Sequence, residues 1–227
     1  MLLKIKQKKD ETSNAFSLVL EKPTGSSFYP GQYLDIELPI DDPDGNTRAF
    51  TVSSSPTEPF LMITPKKGIS PFKKFMEKIK PGDIINSSHP AGTFTLDETT
   101  PAIFLAGGIG ITPFRSIIKY AGDKKLTTPI ALIYSNSDEN FLFKKELEEW
   151  RQTLPNLDII YHNSTKNGRL TKLYPIPLGE AASSAYTLYP IYYLAGSHSF
   201  VNDMAKMLID SGVDETNIRY DRFDGYV

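Results

Sequence analysis

At 227 residues, 40% apolar and 11% aromatic against 23% charged, the chain can bury a real core, as one large domain or as two of about 100 residues each. The absence of cysteine excludes a disulfide framework, an iron–sulfur cluster, a zinc–thiolate site and a cysteine nucleophile within these residues, so redox chemistry here needs a borrowed cofactor. A net charge of −2, from 25 basic and 27 acidic residues, argues against a generic nucleic-acid binder or an anionic-membrane protein, and three scattered histidines make a poor metal site.

The N-terminus, Met1-Leu2-Leu3-Lys4-Ile5-Lys6, lacks an apolar signal region, and no stretch approaches the roughly 18 apolar residues that span a bilayer. The expectation is a cytoplasmic protein with no membrane span. Short segments of period-two or β-branched character, punctuated by Pro and Gly, predict strands at 3–8, 15–21, 32–38, 49–54, 60–65 and 83–87. Six strands at this spacing suggest a small closed antiparallel β-barrel. One helix is expected at 71–79, with Ser70 as its cap and Pro81-Gly82 after it. Residues 41–46, Asp-Asp-Pro-Asp-Gly-Asn, read as a polar turn that needs no function.

From residue 101 the pattern changes to apolar runs followed by amphipathic helices. Runs at 102–106, 130–134, 157–161 and 191–194 predict buried parallel strands, with helices at 113–121, 140–153 and 199–211 between or after them. Alternating strand and helix implies an α/β doubly wound parallel sheet, with the domain boundary near residue 97: 1–97 as barrel and 98–227 as α/β domain.

Two motifs carry chemistry. Ala106-Gly107-Gly108-Ile109-Gly110-Ile111-Thr112-Pro113 runs an apolar strand into a glycine turn and a helix start. Such a turn lets backbone amides approach a pyrophosphate, the helix dipole favours the anion, and Pro113 sits where a missing N–H is tolerated. Gly-Gly-x-Gly-x-Thr-Pro differs from the three-glycine dinucleotide fingerprint, and a glycine turn alone is also compatible with a plain tight connection. In the first half, Arg48-Ala49-Phe50-Thr51-Val52-Ser53-Ser54 places Arg48, Phe50 and Val52 on one strand face and Thr51 and Ser53 on the other. Bordering a cleft, Arg48 suits a phosphate, Phe50 a ring and Thr51 a heterocycle nitrogen; the alternative is an ordinary strand with a snorkelling arginine.

In this order the two motifs resemble the ferredoxin-NADP reductase superfamily over nearly the whole chain. That resemblance implies an FAD-binding barrel and a NAD(P)-binding α/β domain. Arg48, Phe50 and Thr51 match the family's Arg-x-Tyr-Ser/Thr, with Phe for Tyr. It implies that Arg48 holds an FAD phosphate, Phe50 stacks on the flavin and the Thr51 hydroxyl faces N5, with Val52 and Ser53 beside them. Ser70, Phe72 and Lys73 stand in the segment that binds the FAD pyrophosphate, and residues 90–94 resemble the family's Gly-Pro-x-Gly-x-Phe, with His89 in place of its first glycine. Gly107, Gly108, Gly110, Thr112 and Pro113 match the nicotinamide-nucleotide segment. Residues 195–200 resemble Cys-Gly-Pro-x-x-Met: Gly196 is kept, while Ala195, Ser197 and Phe200 replace Cys, Pro and Met. In the tail, the resemblance implies that Asp221 takes the acidic position near the flavin edge and that Phe223 or Tyr226 covers a flavin face; the alternative is a terminal strand tied down by aromatics. Thr51 and Asp221 are thereby the catalytic candidates. The three histidines are expected to be structural or exposed.

Asp138 and Glu139, after the second α/β strand, disfavour a 2′-phosphate, with Arg169 or Lys144 as possible compensation; the lean is to NADH. Residues 66–80 hold six lysines, Lys66, Lys67, Lys73, Lys74, Lys78 and Lys80, against Glu77 alone. If this segment lies beside the FAD edge it offers a landing surface for an acidic electron carrier such as ferredoxin or flavodoxin, or for an oxygenase partner; the alternative is an ordinary solvated helix face plus phosphate binding. The function expected is hydride transfer from NAD(P)H to FAD and onward delivery of electrons. The alternatives are a reductase of free flavin and a nucleotide-binding regulatory subunit.

Overall fold

The computed structural model describes residues 1–172 and 190–223. A six-stranded antiparallel sheet is built from β1 (Leu2–Thr12), β2 (Ala15–Glu21), β3 (Tyr33–Glu37), β4 (Thr47–Thr51), β5 (Phe60–Ile63) and β6 (Ile84–Ser87), in the order β4-β3-β6-β1-β2-β5. It curls until its edges nearly meet: just past β4, the Ser53 N–H donates to the Met62 carbonyl of β5 at 2.7 Å. The inside follows the period-two pattern, with Leu3 and Ile5, Phe16, Leu18 and Leu20, Leu34 and Ile36, and Leu61 and Ile63 all buried. Helix α1 (Pro71–Lys78) closes the barrel with Phe72 and Met76, one turn apart on its apolar face.

β2 and β5 are buried on both faces, which explains why Leu18-Val19-Leu20 and Phe60-Leu61-Met62-Ile63 show little alternation. Their outer residues Ala15, Met62, Val19 and Phe60 belong to a core shared with the second half of the chain. Phe94 joins the same core, its ring 5.6 Å from Tyr193 and 5.9 Å from Phe114.

The second half is a parallel sheet of β7 (Ala102–Gly107), β8 (Ile130–Asn136), β9 (Leu157–Asn163), β10 (Ile191–Ser197) and β11 (Ile218–Phe223), ordered β11-β10-β7-β8-β9. Helices α2 (Ile111–Asp123) and α3 (Lys144–Thr153) cover one face. After the short α4 (Ser164–Asn167), helix α5 (His198–Asp210) covers the other with Val201, Met204, Ala205 and Leu208. The sheet is therefore doubly wound, as expected. α3 starts four residues later than its pattern suggests, because Phe143 takes a left-handed conformation (φ 59°) and breaks the helix there. Strand order reverses between β7 and β10, which places the crevice of an open α/β sheet outside the carboxyl ends of these two strands. Among the described residues, no helix is long and apolar enough to cross a membrane.

The two halves are locked by Arg115 of α2, whose side chain is 3% exposed. Its guanidinium donates to the Ser53 carbonyl at 2.8 Å and to Glu58 at 3.0 and 3.3 Å on the barrel side, and to Glu146 of α3 at 2.8 and 3.2 Å. The rings of Phe143 and Trp150 lie 5.2 and 5.5 Å from it. Beside it, the Ser116 hydroxyl donates to the Ser54 carbonyl at 2.6 Å. Removing the cation strands two carboxylates and a buried carbonyl, so Arg115→Met is expected to lower unfolding stability by about 3 kcal/mol. Urea denaturation checks this, with Lys119→Met, an exposed ion pair on the same helix, expected to change it by less than about 1 kcal/mol.

Candidate functional site

Arg115 lies one helical turn beyond the glycine turn, and its bond to Ser53 brings the end of β4 to that turn. Thr51 is 8% exposed and Phe50 half-buried, at the end of β4. Phe50 stacks on Phe72 with centroids 6.0 Å apart and planes 24° apart, and the Arg48 guanidinium sits 5.2 Å from the same Phe72 ring. Phe72 is 2% exposed: it supports Phe50 and Arg48 from beneath and offers no surface of its own.

Two of the expected site residues turn inward. Val52 is fully buried in the barrel core. The Ser53 hydroxyl is equally buried, bonded to Thr64 Oγ1 at 2.9 Å and to the Met62 carbonyl at 3.1 Å. Neither side chain can touch a ligand, because this stretch of chain turns inward to join β5 and receive Arg115. Thr112 is likewise committed, its hydroxyl donating to the Ile109 carbonyl at 3.0 Å, and Pro113 is buried in the first turn of α2. These residues shape the turn rather than face the crevice.

The glycines serve both backbone conformation and close packing. Gly108 is left-handed (φ 55°). A Cβ on Gly110 would lie 2.1 Å from the Ala195 carbonyl, so only glycine lets the β7–α2 turn press against the end of β10. Gly196 lies in that same end, and the Phe200 ring, at the start of α5, packs over Gly107 and Gly196. The two turns form one surface at the switch point.

From the barrel side Lys66 reaches this surface: its Nζ would lie 3.5 Å from a Cβ on Gly108. Desolvation, then the neighbouring Lys73, lowers its pKa, opposed by Asp138. The lysine run pointed to this region but not to one lysine in the crevice. Of the others, Lys67 pairs with Asp10 at 3.0 Å, Lys74, Lys78 and Lys80 are exposed, and Ile69 stands 89% exposed among them.

In the β10–β11 register Asp221 lies beside Ala195 and Phe223 beside Ser197. Phe223 packs against the shared core. Loss of water around the Asp221 carboxyl pushes its pKa up to about 7. Tyr226 lies outside the described residues. His162 is buried, its Nε2 2.8 Å from the Gly168 carbonyl, while His89 and His198 are exposed.

At the carboxyl end of β8, Asp138 accepts from Asn136 at 3.0 Å and from the Asn140 amide at 2.7 Å. Glu139 pairs with Lys166 at 2.8 Å and accepts from Asn163 at 2.9 Å, and Arg169 pairs with Asp203 at 3.2 Å.

The site residue that sequence reasoning passed over is Asp42. Its carboxylate accepts the Phe72 N–H of α1 and the Asp44 N–H, both at 3.0 Å, and lies 3.5 Å from Arg48. Arg48 Nη1 donates to the carbonyls of Asp44, Gly45 and Thr47 at 2.8 to 2.9 Å. Loop 41–46, read as a simple turn, thus caps the α1 helix and holds the arginine.

Residues 104–206 match the oxidoreductase NAD-binding domain family. The chain is 25% identical to flavohemoprotein A of Dictyostelium discoideum over 238 residues, covering 96% of this chain and 59% of that one. It is 33% identical to the ferredoxin reductase component of 3-ketosteroid-9-alpha-monooxygenase from Mycolicibacterium smegmatis over 172 residues, covering 70% of this chain and 48% of that one. The chain thus spans about half to three fifths of these relatives. Among solved structures, a ferredoxin NADP+ reductase from Neisseria gonorrhoeae with bound FAD and NADP aligns with a TM-score of 0.80 at 19% identity, covering 98% of each chain. The ferredoxin-NADP+ reductase of Plasmodium falciparum aligns with a TM-score of 0.78 at 20% identity, covering 98% of this chain and 95% of that one. Along nearly its whole length the chain thus has the two-domain fold of these solved reductases, and residues 104–206 carry the match to the oxidoreductase NAD-binding domain family.

Proposed function

We propose that this chain is an NAD(P)H oxidoreductase that uses FAD and passes electrons to a separate acceptor. The observation that carries this reading is the Arg115–Ser53 bond, which registers the strand bearing Arg48, Phe50 and Thr51 against the glycine turn at the switch point. Bound FAD would supply an N5 that takes a hydride from the nicotinamide C4. The protein's part is to bind, orient and exclude water.

On this reading the half-buried Phe50 is the platform for the flavin ring and the Thr51 hydroxyl faces its heterocycle. Arg48 and the start of α1, with Ser70 and Lys73, meet the diphosphate. The turn at Gly107, Gly108 and Gly110, with Gly196 opposite and Lys66 nearby, takes the pyridine nucleotide. Asp221, beside Ala195, sits where a carboxyl can hold or release a proton near neutral pH. Arg169 is engaged with Asp203, and Asp138 and Glu139 add negative charge near the end of β8, which together favour NADH over NADPH. The exposed Lys74, Lys78 and Lys80 around Ile69 suit an acidic carrier such as ferredoxin or flavodoxin, or an oxygenase partner, steered by charge and screened by salt.

Stopped-flow mixing of the FAD-loaded protein with NADH or NADPH tests the reading. Bleaching of the flavin within one turnover is expected, faster with NADH; a flavin that neither nucleotide bleaches sinks it. Phe50→Ala is expected to weaken FAD binding by about 1 to 3 kcal/mol through lost ring burial, read by fluorescence titration.

Asp221 also predicts a pH dependence of stability. Its folded pKa, about 7, exceeds its ordinary value of 3.8, so the folded state binds the extra proton. The associated stability is full below the ordinary value and is lost as pH rises toward about 7. Asp221→Asn is therefore expected to gain stability relative to wild type over that window and to hold a constant advantage above it. Thermal melts across pH 4 to 9 check this, and parallel curves for the two proteins contradict it.

A further inference from the structure

On the reading just given, a flavin's phosphates meet the amides at the start of α1 together with Arg48. Those amides already have partners. Pro71 brings no N–H, Phe72 N–H donates to Asp42, Lys73 N–H donates to Ser70 Oγ at 3.3 Å, and Lys74 N–H donates to the Ser70 carbonyl at 3.0 Å. Arg48 faces the same Asp42 carboxylate, whose side chain is 1% exposed. The amides of Asp44 and Phe72, and Arg48, hold that carboxyl below its ordinary range despite its desolvation, the Asp44 amide contributing most. An aspartate thus makes the contacts that a phosphate oxygen would make: helix amide, loop amide and guanidinium.

We infer that Asp42 is an internal anion that competes with the phosphates of a bound flavin for the start of α1 and for Arg48, and so sets how strongly this protein prefers a phosphorylated flavin. This rests on the flavin reading above. The single Phe72 N–H cannot serve both anions, and a phosphate brought beside Arg48 is repelled by the Asp42 carboxylate, so the phosphate of FMN or the diphosphate of FAD must displace that carboxylate to reach the start of α1. Part of the phosphate's binding energy goes to breaking the Asp42 contacts. The isoalloxazine platform at Phe50 and Thr51 lies outside this competition. FAD is therefore held less tightly than the cationic residues around it imply, and it exchanges with solution. This favours the free-flavin reading in one respect, since a dissociable flavin behaves as a substrate.

The experiment is a fluorescence titration of the flavin-free protein with riboflavin, FMN and FAD, for wild type, Asp42→Asn and Asp42→Ser. Asp42→Asn keeps an oxygen for the Phe72 amide and removes the charge, and thermal melts establish that each variant is folded. FAD and FMN affinity is expected to rise by about tenfold or more in both variants, with riboflavin unchanged within about twofold. FAD affinity that stays the same or falls, or affinities for all three flavins that rise together, overturns the inference and leaves the flavin reading standing. A wild type and variants that take up none of the three overturn the flavin reading and this inference with it.

Discussion

One buried cation holds the architecture together. Arg115 is taken out of water at the junction of the two halves, where an isolated guanidinium is very costly. It is tolerated because two glutamates, from the barrel and from α3, together with the Ser53 carbonyl take up its donors, while Phe143 and Trp150 shield it. The cation and Glu146 belong to the α/β half, while Glu58 and the Ser53 carbonyl come from the barrel, so neither half satisfies these groups by itself. The shared core of Met62, Phe94, Phe104, Phe114 and Tyr193 adds apolar area across the same junction.

That constraint decides where a site can form. The sheet's switch point leaves a crevice outside β7 and β10, and Arg115, one turn into α2, draws the end of β4 to its mouth. Polar residues that resemble ligand contacts are partly absorbed in making this junction. Ser53 and Thr112 spend their hydroxyls on neighbouring backbone or side chains, while Lys66 comes to the glycine turn at Gly108.

Most of the fold was legible along the chain, because burying one face of a strand or helix leaves a period that a single sequence displays. The strand at Leu2–Thr12 and the helix at His198–Asp210 follow from that rule. Where both faces are buried, as in Phe60–Ile63, the period disappears but the apolar run still marks a strand. The start of α3 was not legible, since the left-handed turn at Phe143 is imposed by its packing under Arg115 rather than by its residue type. Asp42 was hidden for a similar reason. Its loop has ordinary turn composition, and its role depends on Phe72, thirty residues later, arriving against it.

By itself the sequence determined the two halves, their layer types, the glycine turn after the first parallel strand and the absence of any thiol chemistry within these residues, because each of these is local or compositional. Tertiary structure alone decided which polar groups face outward. A hydroxyl, carboxylate or guanidinium has the same chemistry wherever it sits, and only the neighbours brought from distant parts of the chain determine whether its hydrogen-bonding capacity is already used. Ser53 is taken by β5, Arg48 by the loop that carries Asp42, and Asp221 is pushed toward neutrality by the packing around its carboxyl.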